Sequence, residues 1–180
     1  MIEELDPFAL IVDEGGHRKT VVTEWVLEHR RQKRLFKTYK GDSRSTIDTL
    51  HGWKESKGDI HRLLVDARYY QGKLLAAIHS QNDHRAVDYW GMPKDFDDLY
   101  SAEYMRQVLS FRPGGKRVDG HLFANWSCGD RLHDYFDAEK MILALVAYVA
   151  TRPNAAKIWS QRTGFDLPES LKKKNRRLSK

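Results

Sequence analysis

Cysteine is almost missing from this sequence: Cys128 is the only one in 180 residues. One cysteine excludes an intrachain disulfide and a four-cysteine zinc site. Long apolar runs are missing too. The longest, Met141 to Ala150, is about half of the roughly 20 residues that span a bilayer. The start, Met1-Ile2-Glu3-Glu4-Leu5-Asp6-Pro7, is acidic and has neither the basic opening nor the apolar middle of a secretory signal. These absences lead us to expect a reducing, cytoplasmic setting with no membrane contact. There is no internal repeat, Walker loop, dinucleotide fingerprint, Gly-x-Ser-x-Gly elbow or His-Glu-x-x-His motif.

What is present suffices for a core. Hydrophobic residues make up 41% and charged residues 31% of the chain, which argues against wholesale disorder. Five Trp, eight Tyr and seven Phe can anchor the interior. The expected fold is α+β: a helix-dominated single domain over residues 1–168 with a small β-sheet, then a basic, flexible tail over 169–180.

The net charge of +6 is unevenly spread. Residues 1–16 carry −5, 17–40 carry +6, 41–151 carry −2 and 152–180 carry +7. Two short segments therefore hold the positive charge, and the rest of the chain is net acidic. Such asymmetry marks a polyanion-facing surface more than general solubility.

Phe8 to Val12 is β-prone and stopped by Gly15-Gly16, which predicts a strand. From Lys19 the apolar positions Val22, Trp25, Val26, His29 and Phe36 follow helical spacing. That helix would carry Arg30, Arg31, Lys33, Arg34 and Lys37 on its C-terminal half, where the dipole favours cations. Ser45-Thr46-Ile47-Asp48 resembles a capping box and predicts a helix through about Lys57. Asp59 would cap another, with a seam of Leu63, Ala67, Tyr70, Leu74, Ala77 and Ile78. Gln81 to Pro93 reads as a loop. Asp95 would cap a helix ended by Arg112-Pro113-Gly114-Gly115, and Val118 to Trp126 reads as a strand or irregular segment. Asp130 would cap the strongest helix, apolar nearly all round in its second half and expected near the core. Pro153 suits the first turn of a last helix ending near Gly164.

The leading functional expectation is a non-enzymatic nucleic-acid-binding or regulatory protein. Its phosphate contacts would be Arg30, Arg31, Lys33, Arg34, Lys37, Lys116, Arg117 and the tail residues Lys172, Lys173, Lys174, Arg176 and Arg177. A first alternative is a protein-binding module or inhibitor that sets these basic faces on an acidic protein surface. A second is a hydrolase or transferase using His121 with Asp119 or Asp130, with Cys128 nearby as a nucleophile. His133-Asp134, Asp83-His84 and the Asp95-Asp97-Asp98 cluster lack ligand spacing, so neither metal nor cofactor is expected. Glu55-Ser56-Lys57 has the Glu-x-Lys form of one nuclease class, but it falls within the predicted helix and is set aside.

Overall fold

Parallel strands buried on both faces need a helix on each side, and the N-terminal half of this chain is built that way. The computed structural model describes residues 7–15, 19–30, 35–42, 51–58, 61–79, 98–118, 121–129, 131–164 and 166–167. At residues 30, 42, 79, 98–101, 113–118, 121–126 and 163 it describes the backbone alone. The elements in order are β1 (Ala9–Asp13), α1 (Lys19–Arg30), β2 (Leu35–Asp42), β3 (Trp53–Glu55), β4 (Arg62–Asp66), α2 (Ala67–His79), α3 (Asp98–Val108), β5 (Arg112–Val118), β6 (His121–Ser127), α4 (Asp134–Ala150) and α5 (Pro153–Thr163). The chain divides into two compact units, residues 1–73 with 141–180, and residues 74–140.

In the first unit the sheet order is β1-β2-β4-β3. β1, β2 and β4 are parallel and β3 is antiparallel to β4. β2 is central: Phe36, Lys37, Thr38 and Tyr39 are all buried. Phe36 stacks on Trp25 and His29 of α1, each at 5.6 Å between ring centroids, and Val26 is fully buried. The other face carries Tyr39, Leu63 and Val65, which pack with Tyr70, Ala144, Ala147 and Tyr148. Gly52, at φ +65° before β3, sits under the Tyr69 ring, where any Cβ would collide.

In the second unit β5 and β6 form an antiparallel pair. Phe136 is fully buried and stacks on Phe111 at 4.2 Å. The Gln107 side chain accepts from the Tyr135 N–H and donates to Glu103.

The mixed α and β character holds, with five helices and a four-stranded mixed sheet among the described residues. Several local expectations do not. α1 ends at Arg30, and the residues expected to extend it include β2, whose burial on both faces removes the alternation that marks a strand. The helix expected through Lys57 is strand at Trp53–Glu55. The seam expected from Leu63 starts as strand β4 and turns helical only at Ala67, where Asp66 caps α2 by accepting from the Arg68 and Tyr69 N–H groups. Arg112-Pro113-Gly114-Gly115 opens β5 instead of ending a helix, and a two-stranded hairpin tolerates Pro and Gly there. Instead of one small sheet there are two among the described residues: β1 lies in the four-stranded one, and β5 and β6 form the other. Pro153 and Gly164 bound α5 as expected, and the Gly164 N–H bonds to the Ser160 carbonyl at φ +72°. Asp59, Asp95, Asp130, Ser45–Asp48 and Gln81–Pro93 lie outside the described residues.

Candidate polyanion interface

Three parallel strands give the sheet two unlike edges. The carboxyl ends of β1, β2 and β4 are Asp13, Asp42 and Asp66, with Glu14 following Asp13. Open α/β sheets commonly bind ligands at that edge, but here it ends in acids. Asp13 accepts from the Gly15 N–H at 2.9 Å. Glu14 is 4% exposed, and its carboxylate takes the Thr38 hydroxyl at 2.9 Å and the Arg62 Nε at 2.7 Å.

In sequence, Arg31, Lys33 and Arg34 precede β2, while Glu3, Glu4 and Asp6 precede β1. α1 carries the chain back to the amino edge and ends at Arg30; five residues later β2 starts at Leu35, whose N–H bonds to the Phe8 carbonyl at 3.0 Å. Leu35, Phe8 and Ala9 pack in one apolar cluster with Ala155, Ala156, Trp159 and Leu167. The residues flanking both basic segments thus meet in a single cluster. Between Arg152 and Thr163 the chain holds three bases, Arg152, Lys157 and Arg162, and no acid. All three are exposed.

A buried polar network ties the start of α5 to the sheet. Lys37 is 2% exposed and its Nζ lies 2.7 Å from Glu55 Oε1. The Tyr148 hydroxyl donates to the same oxygen at 2.9 Å, and Arg152 bonds Oε2 at 2.7 Å. Lys37 and Arg152 also sit over the Tyr148 ring, at 4.9 and 5.0 Å from its centre. Burial raises the Glu55 pKa, but bonds from Lys37 and Tyr148 and the charges of Lys37 and Arg152 outweigh it, leaving the carboxyl below its ordinary 4.5. Burial, then the bond to Glu55 and its charge, pushes Tyr148 up to about 12.

These shifts set pH limits. The unfolded chain gives up the Tyr148 proton near 10, before the folded protein does near 12. The contribution of Tyr148 is therefore fully present below pH 10 and is lost as pH rises through that window. Glu55 acts at the other end: its contribution is present above 4.5 and is lost as acid protonates the folded carboxyl. Urea midpoints at pH 8 and pH 11 should show the alkaline fall, and Tyr148→Phe should make it shallower. An equal fall in both proteins contradicts this assignment.

The expected contact residues fare unequally. Lys37 is held in the core by Glu55, so its charge is not offered to a phosphate. Arg30 closes α1, and Lys116 and Arg117 lie on β5, each described by backbone alone. Arg31, Lys33, Arg34, Lys172, Lys173, Lys174, Arg176 and Arg177 lie outside the described residues. The bases on α5 were legible only as part of a charged segment, because nothing in the sequence marks the packing of Ala155, Ala156 and Trp159 in one cluster with Leu35.

Of the chemical candidates His121, Asp119, Asp130 and Cys128, only Cys128 is described with its side chain. His121 opens β6 and is described by backbone alone; Asp119 and Asp130 lie outside the described residues. Cys128 Sγ is 3.4 Å from His133 Nδ1, but that nitrogen is 3.0 Å from the Arg131 carbonyl. A carbonyl only accepts, so the tautomer that serves this contact, with the proton on Nδ1, cannot also take a proton from the thiol there. His133 Nε2 lies 3.5 Å from Asp137, which Lys140 also holds at 2.6 Å. Among the described residues no three His, Cys, Asp or Glu side chains are placed to hold a metal ion, and no helix is long and apolar enough to cross a membrane.

No protein-family model, curated protein or solved structure matches this chain.

Proposed function

We propose that this protein binds nucleic acid along the amino edge of its four-stranded sheet. The observation that carries this reading is the shared cluster of Leu35, Phe8, Ala155, Trp159 and Leu167, which joins the chain flanking both basic segments. Arg30, Arg31, Lys33 and Arg34 stand on one side of that edge in sequence, and Lys157, Arg162 and the tail lysines and arginines on the other. Phosphates would displace counterions there, while the acidic carboxyl edge repels the strand and fixes which edge it uses.

The test is titration of duplex DNA, single-stranded DNA and RNA across salt, in chelator. The reading expects affinity that falls linearly in log–log form as salt rises. Absence of salt-sensitive binding to all three ends it, and a partner that survives nuclease treatment of a lysate would favour an acidic protein instead.

A further inference from the structure

Beside the amino edge lies a groove of about 600 Å³, walled by Phe8, Ala9, Ile142, Leu145 and Trp159, with Arg162 among its lining residues. That volume is within the range of small organic ligand sites. Ile142 is left 49% exposed on this wall, although it belongs to the helix that supplies Ala144, Ala147 and Tyr148 to the core. An aliphatic side chain so placed, with an indole and a guanidinium in the same groove, matches an occupant that has an apolar, flat body and an anionic group. The surrounding charge narrows the choice. Residues 152–180 carry +7 and residues 17–40 carry +6, so the complement is a chain of anions.

We infer that the groove receives an unpaired base of a single-stranded nucleic acid, laid against Trp159, with the adjoining phosphate on Arg162. This rests on the proposed binding at the amino edge and specifies its substrate: unpaired strand in preference to duplex. In a duplex the bases are stacked and paired inside the helix and cannot enter a concave apolar site. In a single strand they splay out and stack on aromatic side chains, whatever their identity. The groove has one indole wall and apolar residues around it, so it selects for an exposed base face and carries little sequence preference.

The test compares oligo(dT) with a blunt duplex of equal phosphate count, by anisotropy at fixed salt. Trp159→Ala should weaken oligo(dT) binding by roughly 5- to 100-fold and leave duplex binding unchanged; Trp159→Phe, which keeps a ring, should retain most of the affinity. Trp159 also packs in the cluster with Leu145 and Val149, so a second variant guards against a folding defect. Ile142→Trp fills the groove from an exposed position. It should lose oligo(dT) affinity to a similar degree with unchanged circular dichroism. If both variants bind oligo(dT) as the parent does, while salt-sensitive binding persists, the groove assignment is overturned and the edge reading stands. If the parent binds no nucleic acid, both fall. Saturable binding of dodecanoate without binding of oligo(dT) would give the groove to amphipathic carboxylates and overturn the inference.

Discussion

Glu55→Ala is expected to cost about 3 kcal/mol or more of folding stability, the low end of what removing one partner of a buried ion pair does. Glu55 is the acceptor for Lys37, Tyr148 and Arg152 together. Without it the Lys37 ammonium, 2% exposed, loses its anion in the interior. Arg152 is 45% exposed and can turn to water, so Lys37 dominates the loss. Lys37→Met removes the buried cation and leaves Glu55 with Tyr148 and Arg152. It should cost under about 1.5 kcal/mol. The double variant Lys37→Met/Glu55→Ala should be more stable than Glu55→Ala alone, because no buried charge is left without a partner. Urea denaturation measures all three. A loss below about 1 kcal/mol for Glu55→Ala would show that the network does not hold Lys37 inside.

Replacing Arg31, Lys33 and Arg34 together with Gln should lower the salt slope for single-stranded DNA by about 2 and weaken binding roughly tenfold or more. These side chains lie in the four-residue stretch between the last residue of α1 and the first of β2, so substitution leaves the described contacts of both elements in place. Unfolding midpoints should move little. The expected outcome is a binding defect without a stability defect, the reverse of Glu55→Ala.

The two networks also explain what the sequence could and could not reveal. α4 and α5 were legible because their apolar positions repeat with one period and Pro153 and Gly164 bound the second. β2 was not. Phe36 falls seven residues after His29, which continues a helical stripe as well as it starts a strand, and Lys37 sits among cations that look solvated. Its burial follows from Glu55 on β3 and Tyr148 on α4, partners 18 and 111 residues away along the chain. Leu63 and Ala67 show the same ambiguity: strand and helix meet at Asp66, and the seam runs through both. The charge asymmetry could be counted from the sequence. The meeting of its two segments could not, since it depends on β1 pairing in parallel with β2 and on Leu35 reaching Trp159's cluster.

The most direct test of that meeting uses an oligo(dT) short enough to fill one site, with its affinity followed across salt. Four proteins are compared: the parent, the variant at Arg31, Lys33 and Arg34, a variant with Lys172, Lys173, Lys174, Arg176 and Arg177 changed to Gln, and the combination. The account predicts that each set lowers the slope for this one short strand, and that the combined variant loses the sum. A slope that neither set changes, or no salt dependence in the parent, would contradict it.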